Sequence, residues 1–173
     1  EQIRYKNILK QTKRDQYREV LENFFNRTIA YSDSILTKYE LWLELGCTGN
    51  DFDDFDAFTK EVKKSDLEKY RLWLEADRIS PYSGKVISLS DLISNQEIEI
   101  EHILPFSRSL DNSFANKTLC ERSINSFKTN LTPLEYFERR PEKEKSDFQK
   151  RIARFSNPFK KSIFLTENLP DSF

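Results

Sequence analysis

One short stretch of this chain alternates with a period of two, and the rest must be arranged around it. Ile98, Ile100, His102 and Leu104 alternate with Glu97, Glu99, Glu101 and Ile103. Successive side chains leave a strand on opposite faces, so the pattern predicts a half-buried strand, ended by Pro105. A polar loop over 105–115 follows, and NKTLC at 116–120 predicts a second short strand.

Elsewhere the period is helical. Tyr17, Val20, Leu21, Phe24, Phe25 and Ile29 recur at helical spacing after a start at Thr12 and Asp15. A second helix is predicted over roughly 34–45, ending near Gly46, with GCTGNDFDD as the loop after it. Phe55, Phe58 and Val62 point to a short helix, and Ser65 with Glu68 forms a capping box for one reaching about Asp77. SPYSGKVISLSDL then reads as a turn and a short apolar stretch. Helix starts are expected near Ser123 and at Thr132-Pro133-Glu135. Phe148, Ile152 and Phe155 predict a helix after Pro141, which Asn157-Pro158 breaks before an extended tail. KYELWLEL at 38–45 is echoed by KYRLWLEA at 69–76. Two copies fall short of a solenoid, so the echo reads first as two similar amphipathic helices packing their Leu and Trp faces. A duplicated helical unit is the sharper alternative.

The 173 residues suit one domain with appendages, and 14 Phe among 37% hydrophobic residues argue against disorder despite 33% charge. The net charge of −1 excludes a globally basic nucleic-acid binder. It hides basic ends, since residues 1–14 hold five bases to one acid, and an acidic middle, since 40–61 hold seven acids to one base. Two distant cysteines, Cys47 and Cys120, are too few for a four-Cys zinc site and read as thiols of a reducing compartment. No run reaches membrane-span length and no signal peptide opens the chain. A start at Glu1 with no Met anywhere points to a segment of a longer protein.

His102 is the single histidine, so any imidazole chemistry rests on it. Glu101 beside it could bind a metal, and the amide oxygen of a later Asn, such as Asn116 or Asn125, could be a neutral ligand. Hard oxygen donors with open positions suit Mg²⁺. A histidine near its ordinary pKa can take a proton from water. Lys128 completes the candidate set. Spacing alone leaves blander readings open. His102 would be a core histidine, Glu97, Glu99 and Glu101 a wet strand face, Asn116 and Asn125 turn residues, and Lys128 a solvated lysine. Strand parity also sends Glu101 and His102 to opposite faces unless the strand is distorted there.

IEIEHILPFSRSLDNSFANKTLCERSINSFKTNLTPLEYF, with KYRLWLEADRISPYSGKVISLSDL upstream, resembles the HNH nuclease domain of type II CRISPR RNA-guided DNA endonucleases. The P-Y-S-G-K turn, the acid-His-I-x-P strand, the S-F-x-N-K-x-L strand, the Asn before a Lys and the T-P-x-E-x-F helix start occur in order over about 70 residues. NILKQTKRDQYREVLENF and NLPDSF are similar to the stretches that join this domain to a flanking RuvC-like domain. The resemblance implies a ββα-metal fold holding one Mg²⁺, with Mn²⁺ as a substitute, and cleavage of the DNA strand paired to the guide RNA. On it, His102 matches the general base. Glu101 and Asn125 match the metal ligands. Asn116 matches the middle Asn of the motif, which positions the histidine loop, and Lys128 a basic residue near the phosphate.

This chain departs from the pattern in having Glu101 where Asp is common. Ser126 and Thr129 replace a frequent Arg and Gly, and Ser80 replaces a frequent Cys, so no structural zinc is expected. The expected architecture is α+β and predominantly helical. It comprises an N-terminal linker helix (1–33), a helical lead-in (34–79), the ββα-metal core (80–140) and a C-terminal helix and linker (141–173). Implied partners are the guide RNA–DNA heteroduplex and the RuvC-like and other domains of the parent chain, in a monomeric, cytoplasmic prokaryotic enzyme with no membrane contact. A free-standing HNH homing or restriction nuclease and a non-catalytic docking module are the alternatives.

Overall fold

The computed structural model describes residues 2–25, 33–46, 52–94 and 96–170. Cys47, the loop residues 47–51, the helix end expected at Ile29 and residues 171–173 of the tail lie outside the described residues. The chain forms two compact units, Glu1–Leu67 and Glu68–Phe173.

The first unit holds α1 (Gln2–Phe25), α2 (Asp33–Glu44) and α3 (Phe52–Glu61). Leu21, Leu36, Tyr39, Trp42 and Phe55 form its buried core. The helix expected to start at Thr12 is already ten residues old there, since α1 begins at Gln2. Asp15 caps nothing; its Oδ1 accepts from Gln11 Nε2 one turn earlier at 3.3 Å, an ordinary i,i+4 pair.

The unit boundary falls inside α4 (Lys64–Glu75), the second copy of the echo. Ser65 does not cap it. The Lys63 carbonyl accepts from the Asp66 and Leu67 amides, and the Glu68 carboxylate takes Lys117 at 2.9 Å instead of turning back. Both echo helices bury Tyr, Leu and Trp: Tyr39, Leu41 and Trp42 in α2, and Tyr70, Leu72 and Trp73 in α4.

In the second unit Trp73 Nε1 donates to the Ile87 carbonyl at 2.8 Å, fastening α4 to the turn at 79–87. Gly84 belongs there for two reasons. Its φ is +75°, and a Cβ would come within 2.9 Å of Arg151, which itself donates to Pro81 and Tyr82 carbonyls. Then follow α5 (Leu89–Ile93), β1 (Ile98–His102), α6 (Phe106–Ser109), a 3₁₀ turn (Phe114–Asn116), β2 (Lys117–Glu121) and α7 (Arg122–Lys128). Three further helices, α8 (Pro133–Glu138), α9 (Glu142–Ile152) and α10 (Pro158–Phe164), complete it. The fold is thus α+β and mostly helical, with one small antiparallel sheet feeding directly into α7.

β1 and β2 pair in full register from Ile98↔Glu121 to His102↔Lys117. The strand stops at His102 rather than Leu104 because the Asn116 side chain captures both backbone groups of Leu104. Behind the sheet, Tyr82, Phe137 and Phe148 stack, Phe137 and Phe148 with centroids 4.4 Å apart. Ile152 and Phe164 extend the same core into α9 and α10. α9 already ends at Ile152, and Asn157-Pro158 starts a further helix, a correction to the extended tail expected there. Asn157 Oδ1 accepts from the Phe159 and Lys160 amides, and Pro158 occupies the first helical position, where its missing N–H costs nothing.

Candidate active site

The site is built on β1, the loop after it, and α7. Strand parity puts Glu99 and Glu101 on one face, and α7 brings Asn125 and Lys128 to that face. Asn125 Nδ2 donates to Glu99 Oε2 at 3.0 Å, and Lys128 Nζ lies 3.2 Å from Glu101 Oε2. Arg122 completes the outer end, its Nε donating to Glu99 Oε1 at 2.8 Å. Hydrogen bonds from Arg122 and Asn125 hold the Glu99 carboxyl below its ordinary range.

Glu101 lies deeper. Its side chain is 2% exposed and that of Lys128 1%. Burial pushes the Glu101 carboxyl up, opposed first by the Lys128 ammonium. Neither carboxylate oxygen has a hydrogen-bond partner among the described residues, so the Lys128 contact is an ion pair off hydrogen-bond geometry. The Tyr82 hydroxyl beside it is equally buried and unpartnered, and burial together with the Glu101 charge raises its pKa. Lys128 also donates to the His102 carbonyl at 3.2 Å. The solvated-lysine reading of Lys128 is therefore overturned.

β1 stays regular through its last residue, so the His102 side chain leaves on the face opposite Glu101. The structure does not bring these two side chains together on one face. His102 is half-buried. Its Nε2 lies 2.9 Å from Asn112 Oδ1, and its ring is 5.6 Å from that of Phe106. An Nε2–H donating to the Asn112 oxygen leaves Nδ1 as the nitrogen with a free lone pair.

Asn116 is fully buried. Its Oδ1 accepts from the Leu104 amide at 2.9 Å, and its Nδ2 donates to the Leu104 and Asp111 carbonyls at 3.0 and 2.9 Å. Its own carbonyl accepts from Ile103. One carboxamide thus closes the loop that carries Asn112 back onto the end of β1.

A divalent cation that keeps waters and substrate oxygens needs few protein ligands. Glu101, a buried carboxylate that is ion-paired but without a hydrogen bond, and Asn125, whose amide nitrogen is turned to Glu99, offer hard oxygens from the same sheet face, and the donor set fits such a cation. No cluster of three or more His, Cys, Asp or Glu occurs among the described residues. Sequence reading missed Glu99 and Asn112. Glu99 could have been found by parity with Glu101, while Asn112 carried no signal beyond a turn-forming run.

Comparison with known proteins agrees with this geometry. Residues 80–134 match the family described as HNH endonuclease. In that segment the strand pair leading into α7 is similar to the core of an HNH endonuclease domain. Its relatives are Cas9 proteins, matched in their HNH region. The chain is 40% identical over 77 residues to the CRISPR-associated endonuclease Cas9 of Campylobacter jejuni, covering 44% of this chain and 8% of that protein. It is 36% identical over 104 residues to Cas9 1 of Streptococcus thermophilus, covering 57% and 9%. It is 48% identical over 56 residues to Cas9 of Staphylococcus aureus, covering 32% and 5%. The chain thus spans under a tenth of each of these relatives. A crystal structure of Streptococcus thermophilus Cas9 in complex with the GGAA PAM superposes with a TM-score of 0.61 at 26% identity, covering 79% of this chain and 13% of that one. No helix among the described residues is long and apolar enough to cross a membrane.

Proposed function

We propose that this chain is the Mg²⁺-dependent, DNA-cleaving segment of an RNA-guided endonuclease and hydrolyses the strand paired to the guide RNA. The observation that carries the reading is the buried, hydrogen-bond-free carboxylate of Glu101. It lies next to the chain's single histidine and on the sheet face that α7 covers with Asn125. Glu101 and Asn125 would hold the metal, with Mn²⁺ as a substitute. When bound, the cation supplies positive charge to the phosphate oxygens and the leaving oxygen.

The chain's own residues do the rest. His102 takes the proton of the attacking water at the nitrogen left free by Asn112, so no covalent protein intermediate forms. Asn116 keeps the histidine loop closed. Lys128 holds Glu101 and the His102 carbonyl from beneath the sheet. The reading carries with it a parent chain with a RuvC-like domain, a guide RNA–DNA heteroduplex as substrate, a monomeric state and a prokaryotic cytoplasmic location. Its test uses the guide-loaded effector. His102→Ala abolishes cutting of the guide-paired strand and leaves target binding intact; undiminished cutting overturns the assignment. Asn125→Ala lowers the rate in a way that added Mg²⁺ partly restores, and a rate indifferent to metal removes Asn125 as a ligand.

A further inference from the structure

Arg108 lies in the last turn of α6, in the loop between the two strands, yet its side chain is buried. Its Nε donates to the Pro170 carbonyl at 3.0 Å and its Nη2 to the Leu169 carbonyl. Nη1 donates to the Asn130 carbonyl at 2.9 Å and to Glu135 Oε2 at 2.7 Å, while Nη2 reaches Glu135 Oε1 at 3.0 Å. One planar fork therefore ties together three segments distant in sequence. They are the histidine loop, the turn between α7 and α8, and the C-terminal strap over 165–170. Glu135 is doubly committed, because its Oε2 also accepts from the Thr132 amide to close the capping box of α8.

We propose that Arg108 is a positioning residue for the site and that the docked strap is part of what it positions with. The strap itself is thin. Leu165, Glu167, Asn168 and Pro170 are exposed and Leu169 is half-buried, so its backbone carbonyls hold it more than its side chains do. Lifting it off strips two acceptors from a buried guanidinium, and buried N–H groups without acceptors are costly. Arg108 then turns toward water and releases the Asn130 carbonyl and Glu135. The loop that carries Asn112 and Asn116 loses its outer anchor. Strap docking and the seating of His102 are thus coupled, and the strap can transmit whatever pulls on it.

The catalytic half of this inference rests on the function proposed above; the coupling does not, and the experiment separates them. The chain has one histidine, so its imidazole signals in a ¹H–¹⁵N spectrum belong to His102 without further assignment. Two variants are compared with the full chain: one terminated after Glu167, and Arg108→Lys, which keeps the charge but not the fork. Both are expected to shift the His102 signals and to speed amide exchange at Leu110 and Asn116 by about tenfold. The melting temperature of the terminated chain should fall little. In the guide-loaded effector, Arg108→Lys should lower nicking kcat about tenfold with KM unchanged, the mark of misplacement rather than lost binding. Unchanged His102 signals and exchange in both variants overturn the coupling. A terminated chain that no longer folds overturns the strap as a local lock. Shifted signals together with a guide-loaded effector that, even with Arg108 intact, never nicks the guide-paired strand uphold the coupling and count against the proposed function instead.

Discussion

At the residue scale the buried pair of Glu101 and Lys128 decides most. An ion pair in the interior adds little net stability, but removing one partner leaves an uncompensated charge. Lys128→Met is therefore expected to destabilise the protein by about 3–5 kcal/mol in urea unfolding. The deficit should be larger at neutral than at acid pH. The Glu101 carboxyl is raised in the folded state, so its contribution is present at low pH and lost as pH rises. Glu135 has the opposite sign. Hydrogen bonds from Arg108 lead in lowering its carboxyl below the ordinary 4.5, so the unfolded chain binds more protons in acid. Glu135→Gln should cost about 1.5–3 kcal/mol near neutrality, a gap that closes as pH falls through and below that value. Unfolding curves taken across that range check both signs. A Glu135→Gln deficit independent of pH removes the carboxylate's charge from the account. Neither pair was legible in the sequence. Lys128 looked like a surface lysine, and nothing in its neighbours shows that α7 turns it under the sheet.

At the element scale, what could be read depended on whether a signal was purely local. Thr132-Pro133-Glu135 gave the start of α8 because cap, proline and acid all act within one turn. Ser65 with Glu68 has the same spacing and failed, because Glu68 is drawn to Lys117, 49 residues away. Asn157-Pro158 was legible as punctuation but not as the beginning of α10. The β1 strand was read two residues too long, since only the fold brings Asn116 to Leu104. Thr129 belongs to the same scale. It sits at φ 48°, ψ −115° at the end of α7, in a turn closed by Leu131 donating to the Lys128 carbonyl. A side chain is strained there and glycine is not. Thr129→Gly should stabilise the chain by about 1 kcal/mol, raising the thermal midpoint by a few degrees. A lower midpoint shows that the threonine side chain compensates in some other way.

At the scale of the whole molecule, near neutrality sets the expectation for DNA. A net charge of −1 supplies little counterion release, so the chain alone should bind duplex DNA no better than about 10⁻⁶ M near physiological salt. Fluorescence anisotropy with a labelled duplex measures this. Nanomolar binding by the isolated chain contradicts the view that the rest of an effector delivers the strand. The fold class, the strand pair and the run of motifs were visible in the sequence because periodicity and short-range spacing encode them. Strand parity already set Glu101 and His102 on opposite faces, but which α7 side chains reach the Glu101 face, and how Arg108 gathers three distant segments, were not legible, since these depend on contacts between parts of the chain that no local pattern relates.

The echoed helices also give the protein a built-in optical instrument. It has two tryptophans, and the repeat places Trp42 in the core of one unit and Trp73 in the other. Replacing either with phenylalanine leaves a single fluorophore whose emission follows one unit alone. The two single-tryptophan proteins, melted side by side, would reveal whether the units lose their structure together or in turn.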